Sequence, residues 1–171
     1  PFYEIRNDIV KLTYAAHFID IVLEIAQENQ PAPKLLQLLL NSLYMLAKTE
    51  KQPELVSAIF ELRALVTAGY APHVSQCIRC GQEAKGYYSF SYEKCGFLCD
   101  KEECLEEDRA SVPLSPGASR AIQHIVYARM NELFSFGVSQ EVLEELGHIT
   151  RRYLRQQLER DFTKLNFLKN I

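Results

Sequence analysis

The sequence predicts a mainly α-helical protein, a helical bundle with an inserted four-cysteine, zinc-ribbon-like β-hairpin. Three observations predict it. Apolar residues recur at three- and four-residue steps on both sides of a central stretch. All five cysteines fall inside that stretch, between Cys77 and Cys104. Within it, Tyr87-Tyr88-Ser89-Phe90-Ser91-Tyr92 switches to a period of two, the spacing of a strand. At 171 residues a sizeable core can be buried, and one domain over 1–171 is expected, with the zinc module, 73–108, inserted between helices.

Residues 4–28 carry Ile9, Leu12, Ala16, Ile19, Leu23 and Ala26 along one side, an amphipathic helix that Pro31 and Pro33 end. Leu35 to Ala47 forms a second helix, with Leu35, Leu38, Leu39, Ser42, Leu43 and Leu46 on one face. Pro53 suits the first position of a third helix, whose inner face is Val56, Ile59, Phe60, Arg63, Leu65 and Val66. Gly69 and Pro72 stop it, and the short links predict antiparallel packing. In the central stretch, Lys94-Cys95-Gly96 turns the Tyr87–Tyr92 strand into a returning Phe97-Leu98-Cys99. Such a hairpin is marginal alone. Beyond the acidic run Glu102 to Asp108, Ser115-Pro116 starts a helix with Ile122, Ile125, Val126, Met130, Leu133 and Phe134 inward, ending at Gly137. Ser139 caps a last helix with Val142, Leu146, Ile149, Tyr153 and Leu158 inward. An apolar tail of Phe162, Leu165, Phe167 and Leu168 follows.

Charge and composition exclude several classes. The longest oily stretch, Leu35 to Leu46, is broken by Gln37, Asn41 and Ser42, so no membrane span of roughly 18 apolar residues exists. The first residues do not form a signal peptide, and the chain begins at Pro1 without Met, so a piece of a longer protein is expected. The seven glycines are scattered and form no phosphate loop. The four histidines stand apart from any nucleophile. The net charge of −3 is uneven: the segment from His148 to Ile171 carries +4, leaving −7 for the rest. An overall acidic balance argues against nucleic-acid binding, and the basic end argues for it locally.

The cysteines are bunched at metal-ligand spacing, which fits a reducing compartment rather than a disulfide framework. Cys77-Ile78-Arg79-Cys80 presents two sulfurs from one tight turn, and Gly81 lets the backbone fold beneath an ion. Zinc takes four thiolates tetrahedrally. For the second pair Cys99 and Cys104, with four residues between them, are favoured; Cys95 is the alternative, and His73 a weaker fifth candidate. A redox dithiol would open a helix, and no helical stripe follows Cys80. Four thiolates make a closed, structural zinc site rather than a catalytic one. At the basic end, Arg151 and Arg155 stand four apart with Arg152 beside them, and Arg160 and Lys164 follow. Arginines so placed can address phosphates bidentately or simply complement a helix C-terminus. Tyr87, Tyr88, Phe90 and Tyr92 suit either hairpin packing or base stacking.

The chain resembles the C-terminal region of the RecO family of bacterial recombinational repair proteins. Three stretches carry the resemblance: Phe60-Glu61-Leu62 through Gly69-Tyr70-Ala71-Pro72 into Cys77-Ile78-Arg79-Cys80-Gly81; Gly96-Phe97-Leu98-Cys99; and Tyr153-Leu154 through Phe162-Thr163-Lys164-Leu165-Asn166-Phe167-Leu168. By that resemblance Cys77, Cys80, Cys99 and Cys104 match the family's four-cysteine positions, with Cys95 where a glycine is often found and a wider last pair than usual. The resemblance implies a non-enzymatic mediator, in the cytoplasm at the nucleoid. It would bind single- and double-stranded DNA, anneal strands, and work with RecR and single-strand-binding protein to load recombinase. It implies a structural zinc ion, no small-molecule substrate and no membrane. Arg151, Arg152, Arg155, Arg160 and Lys164 are then the expected DNA contacts. The alternative is a protein-docking module whose DNA binding resides in a missing N-terminal OB-fold.

Overall fold

Residues 2–26 and 32–170 are described by the structure, a computed structural model. Among the described residues, seven α-helices and three short strands occur in the order α1 (Tyr3–Arg6), α2 (Ile9–Ala26), α3 (Pro33–Lys48), α4 (Pro53–Thr67), β1 (Ser89–Ser91), β2 (Gly96–Leu98), α5 (Glu102–Leu105), β3 (Val112–Pro113), α6 (Pro116–Tyr127) and α7 (Gln140–Leu158). Two 3-10 turns, Met130–Glu132 and Lys164–Asn170, complete the chain. The architecture is mainly helical with a small three-stranded sheet, and it divides into two units. One comprises Pro1–Tyr70 with Gly147–Ile171, the other Ala71–Leu146.

In the first unit, the expected helix over 4–28 is split. The Asp8 carboxylate accepts from the backbone of Val10 (2.9 Å) and Lys11 (3.2 Å), so Asp8 caps a new helix where the periodicity suggested continuity. Gln27, Glu28 and Pro31 lie outside the described residues. The inward face of α2 also differs from the expected one. Thr13, Tyr14, Ala15, His17, Phe18 and Ile21 are buried, whereas Ile9, Leu12, Ile19 and Leu23 are exposed. Both sides of this helix are apolar enough to be inward. The buried bond of His17 to Glu61 (2.7 Å) and the stack of Phe18 on Phe60 (4.5 Å) select the side that carries the aromatic rings.

Helix α3 follows its pattern: Leu35, Leu38, Leu39, Ser42 and Leu46 are buried, and Ser42 donates back to the Leu38 carbonyl at 2.7 Å. Helix α4 begins with Pro53 and buries ten residues, including Glu61. Its end is a left-handed cap. Gly69 has φ +96°, and the Tyr70 N–H reaches the Leu65 carbonyl at 2.8 Å. The Tyr153 hydroxyl then donates to the Tyr70 carbonyl (3.0 Å), tying α7 to the end of α4. The tail over 164–170 packs on α2 with Leu165 buried.

In the second unit, β1 pairs antiparallel with β2 in the register Ser89 to Leu98, Phe90 to Phe97 and Ser91 to Gly96. The turn occupies 92–95, so the alternating aromatics extend beyond the three residues that pair. On its other edge β1 pairs antiparallel with β3, giving the order β2-β1-β3. Two residues ending in proline show no period, and an edge strand tolerates that proline. Helix α6 starts where expected, with Ser115 Oγ accepting from the Ala118 N–H (3.1 Å). It ends at Tyr127, ten residues before Gly137. His124 accounts for the difference: its Nε2 meets the Glu132 carbonyl at 2.9 Å and its ring packs edge-on against Phe136, fixing an irregular return of the chain. Leu133 and Phe134 stay buried from that return; Met130 is only half-buried.

Candidate metal centre and basic face

The cysteine site is assembled from three local structures. The Cys77–Cys80 turn is closed by backbone bonds from Gly81 N–H to the Cys77 carbonyl (2.9 Å) and from Cys77 N–H to the Gln82 carbonyl (3.0 Å). Gly81 has φ +72°, a conformation that a side chain disfavours. Cys99 follows the last residue of β2. Cys104 lies in α5, whose first turn the Lys101 carbonyl closes by accepting from Cys104 N–H (3.0 Å). The turn is docked on the hairpin: Ile78 N–H donates to the Phe97 carbonyl (2.8 Å), His73 N–H to the Cys95 carbonyl (2.9 Å), and Phe97 N–H to the His73 carbonyl (2.9 Å). Gly96 permits this, because a Cβ there would run into the His73 carbonyl and meet Ile78 Cδ1 at 2.6 Å.

The sulfurs of Cys77, Cys80, Cys99 and Cys104 all lie within 4.8 Å of one another. Cys80 and Cys99 Sγ are 3.8 Å apart. Four thiolates at about 2.3 Å from a central zinc ion have edges of about 3.8 Å, so the donor set fits tetrahedral zinc. Cys77, Cys99 and Cys104 are buried and Cys80 is half-buried. Cys95 is outside the group. It sits in the hairpin turn with φ +58°, and its thiol contacts the Tyr92 carbonyl at 3.5 Å. His73 contributes its backbone, as a bridge to Gly96, and is likewise outside the group.

The thiols cannot all ionise unaided. Burial pushes Cys77 up, but the N–H groups of Cys80, Cys99 and Arg79 outweigh it and bring its pKa down to about 6. Burial and the neighbouring thiols push Cys104 up to about 12, opposed by Arg79. Burial also raises Cys99. Cys99 and Cys104 are the thiols that a cation among them would help to ionise, which is the chemistry of a metal-binding set. Arg79 is placed to answer part of that charge: it faces Cys104 and its Nε pairs with Glu107 at 3.0 Å. Asp108 ties the acidic run to the hairpin, accepting from Ser91 Oγ at 2.6 Å.

The residues expected to meet DNA lie along α7 and its tail. Arg151 and Arg155 are exposed and, with Lys169, line one cavity of about 430 Å³. Arg155 Nε is 3.6 Å from Asp161. Arg152 is exposed beside them, and Lys164 is exposed at the start of the last 3-10 turn; neither lines that cavity. Arg160 is engaged elsewhere. Its Nη2 meets both Asp20 carboxylate oxygens at 3.2 Å, its Nη1 meets Glu24 at 3.0 Å, and its guanidinium lies 4.8 Å from the centre of the Phe162 ring. Two carboxylates thus already answer the charge of Arg160.

Behind Arg151 lies a group that sequence reasoning missed. Glu61 is fully buried and accepts from Thr150 Oγ1 (2.7 Å) and Ser57 Oγ (3.3 Å), pairs with His17 Nε2 (2.7 Å), and has Arg151 Nε at 3.7 Å. Burial pushes its pKa up, but His17, Arg151 and Thr150 hold it below the ordinary carboxylate range. Glu61 is 44 residues from His17 and 89 from Thr150, and nothing local in the sequence marks these as a set. No helix among the described residues is long and apolar enough to cross a membrane.

Comparison with known proteins follows the same outline. A family model described as recombination protein O C terminal matches residues 6–166. A DNA repair protein RecO from Acetivibrio thermocellus is 52% identical over 170 residues, covering 99% of this chain and 67% of that protein. RecO proteins from Caldicellulosiruptor bescii and Alkaliphilus metalliredigens are 30% and 28% identical, with 99% of this chain covered in each case and 68% and 69% of theirs. The chain spans about two thirds of the length of these relatives.

Proposed function

The chain belongs to the recombination protein O family through its C-terminal region, and from that membership we propose a non-enzymatic DNA-repair mediator module that binds DNA, helps anneal strands and helps load recombinase. Its partners on this reading are single- and double-stranded DNA, RecR and single-strand-binding protein, and its compartment is the cytoplasm at the nucleoid. The observation that carries the DNA contact is the convergence of Arg151, Arg155 and Lys169 on one open cavity, with Arg152 and Lys164 exposed nearby. Arg160, held by Asp20 and Glu24, keeps a smaller part: it anchors the tail that carries this face.

Cys77, Cys80, Cys99 and Cys104 would hold a zinc ion as a closed clamp, making 73–108 a zinc-ribbon-like insert. Such an ion supplies no catalysis; it replaces a core that three short strands cannot provide, contributing on the order of 10 kcal/mol to folding. Contact with four to five phosphates gives a single-strand salt slope of about −3 to −4. Changing Arg151, Arg152 and Arg155 together to Ala should make that slope shallower by about 2. A slope unchanged in the triple variant removes this face from the DNA interface.

A protein-docking role is favoured by a separate observation. Among the described residues, eight of the twelve exposed large hydrophobics stand on α1, α2 and α3, including Ile9, Leu12, Ile19 and Leu23 in one stripe. A helix face that is apolar and outward suits a partner surface. Leu12→Glu with Leu23→Glu should abolish capture of purified RecR or single-strand-binding protein if docking uses that stripe, and leave DNA binding intact.

A further inference from the structure

The cavity beside α7 is larger and more divided than a phosphate contact needs. At about 430 Å³ it falls within the roughly 300–1,000 Å³ of small-ligand sites, and a phosphate alone would leave most of it empty. Among the described lining residues Asp161 is the one carboxylate beside Arg151, Arg155 and Lys169, and Arg151 also has the buried Glu61 behind it at 3.7 Å. The Arg155–Asp161 pair is exposed, at 3.6 Å, and such pairs exchange readily for a better anion. The apolar part of the lining comes from Leu154 and Leu165, both buried, with Phe162 and Tyr14. Burial pushes Tyr14 up to about 12, so its hydroxyl stays a neutral donor beside Arg151. Thr163 and Asn166, both exposed, bring hydrogen-bonding groups to the same lining.

We propose that this cavity takes one unstacked nucleotide of a single strand, with its phosphate on the arginines and its base against the apolar wall. The inference rests on the reading that the α7 face meets DNA, and deepens it: the face then distinguishes single strands from duplex. In duplex the base is paired and stacked inward, so only the backbone can reach the arginines. In a single strand the base can turn into the lining, where aromatic and apolar side chains accept any base and the polar groups of Thr163 and Asn166 address its edge. A mediator that anneals strands gains from such a site, because pairing withdraws the base and releases the strand.

The test uses the whole chain with a labelled oligo-dT strand, a duplex of equal length, and a short Asp-rich peptide with a free carboxyl terminus. Filling the cavity with Thr163→Trp should lower the ratio of single-strand to duplex affinity by about tenfold, the change that losing one stacked base implies. In the unaltered chain, a strand carrying 5-iodouracil should crosslink under ultraviolet light to Tyr14 or Phe162. Adducts confined to residues outside the cavity overturn the proposal, as does an unchanged ratio in a Thr163→Trp protein that melts normally. If the filled protein loses the peptide and keeps the oligonucleotide, the cavity is a peptide site and the proposal is wrong. The arginine triple variant separates the two failures. If it still weakens DNA binding, only the nucleotide site is lost; if it does not, the DNA face itself is lost.

Discussion

Replacing His17 with Ala should cost the first unit about 3–5 kcal/mol, because it leaves the buried Glu61 carboxylate without the imidazole 2.7 Å from it. His17 and Glu61 side chains are each 1% exposed, so water cannot take the place of the imidazole. Arg151 does not compensate. Its Nε is 3.7 Å away, against 2.7 Å for His17, and its side chain is 48% exposed, so solvent weakens its pull. Thr150 and Ser57 still donate, and each such bond to a charged acceptor contributes about 1.5–3 kcal/mol, which keeps the loss from being larger. The loss is measured by urea unfolding of His17→Ala, Glu61→Leu and the double variant His17→Ala/Glu61→Leu. Coupling predicts that the double variant is more stable than His17→Ala, since the uncompensated charge is gone. A His17→Ala loss under about 1 kcal/mol, or a double variant as unstable as the sum of the two singles, refutes the reasoning. The pH dependence has a definite sign. The folded pKa of Glu61 is depressed, so between it and the unfolded value the unfolded chain binds more protons and stability rises with pH. The contribution is fully present above the unfolded carboxylate value, about 4.3, and is lost as pH falls through the folded one. Glu61→Gln should flatten that acid limb.

Other expectations follow from single contacts. Gly96→Ala should destabilise the second unit by at least about 1–3 kcal/mol, because the obstacle is the His73 backbone, which has no rotamer to give; differential scanning calorimetry measures it. Tyr153→Phe should cost about 1 kcal/mol by removing the bond to the Tyr70 carbonyl, again read from urea unfolding. Chelation at neutral pH should unfold the hairpin and expose the thiols of Cys77, Cys80, Cys99 and Cys104 to a thiol reagent, while the circular dichroism of the helices in the first unit persists.

The parts of this fold that are local in sequence were legible, and the parts set by distant partners were not. Helix α3 reads correctly, although Leu36, Leu40 and Tyr44 are exposed on its other side, because the steps of Leu35, Leu38, Leu39, Ser42 and Leu46 mark the face that turns in. Helix α2 does not, because both faces are apolar and the choice is made by Glu61, on another helix. The break at Asp8 has a local signal, an N-cap residue, but the apolar steps across it are continuous. The third strand is two residues long and exists only through its pairing with β1, so no pattern precedes it. The shortening of α6 depends on a carbonyl eight residues from His124. At the site, spacing left Cys95, Cys99 and Cys104 competing for two ligand places, with Cys99 and Cys104 favoured. The structure separates them, because the left-handed turn at Cys95 directs its thiol to the Tyr92 carbonyl, away from the other four. The basic end was visible as charge; that Asp20 and Glu24 occupy Arg160 was not, since those acids lie 140 and 136 residues earlier.

If four of the five cysteines hold one structural ion, the second unit depends on that ion for its fold. Zinc content per chain, measured on the purified protein and on five single Cys→Ser variants, tests it most directly. One zinc per chain is expected in the unaltered protein and in Cys95→Ser, and loss of zinc in the variants at Cys77, Cys80, Cys99 and Cys104. A Cys95→Ser protein that loses its metal, or an unaltered protein that folds without any, would contradict it.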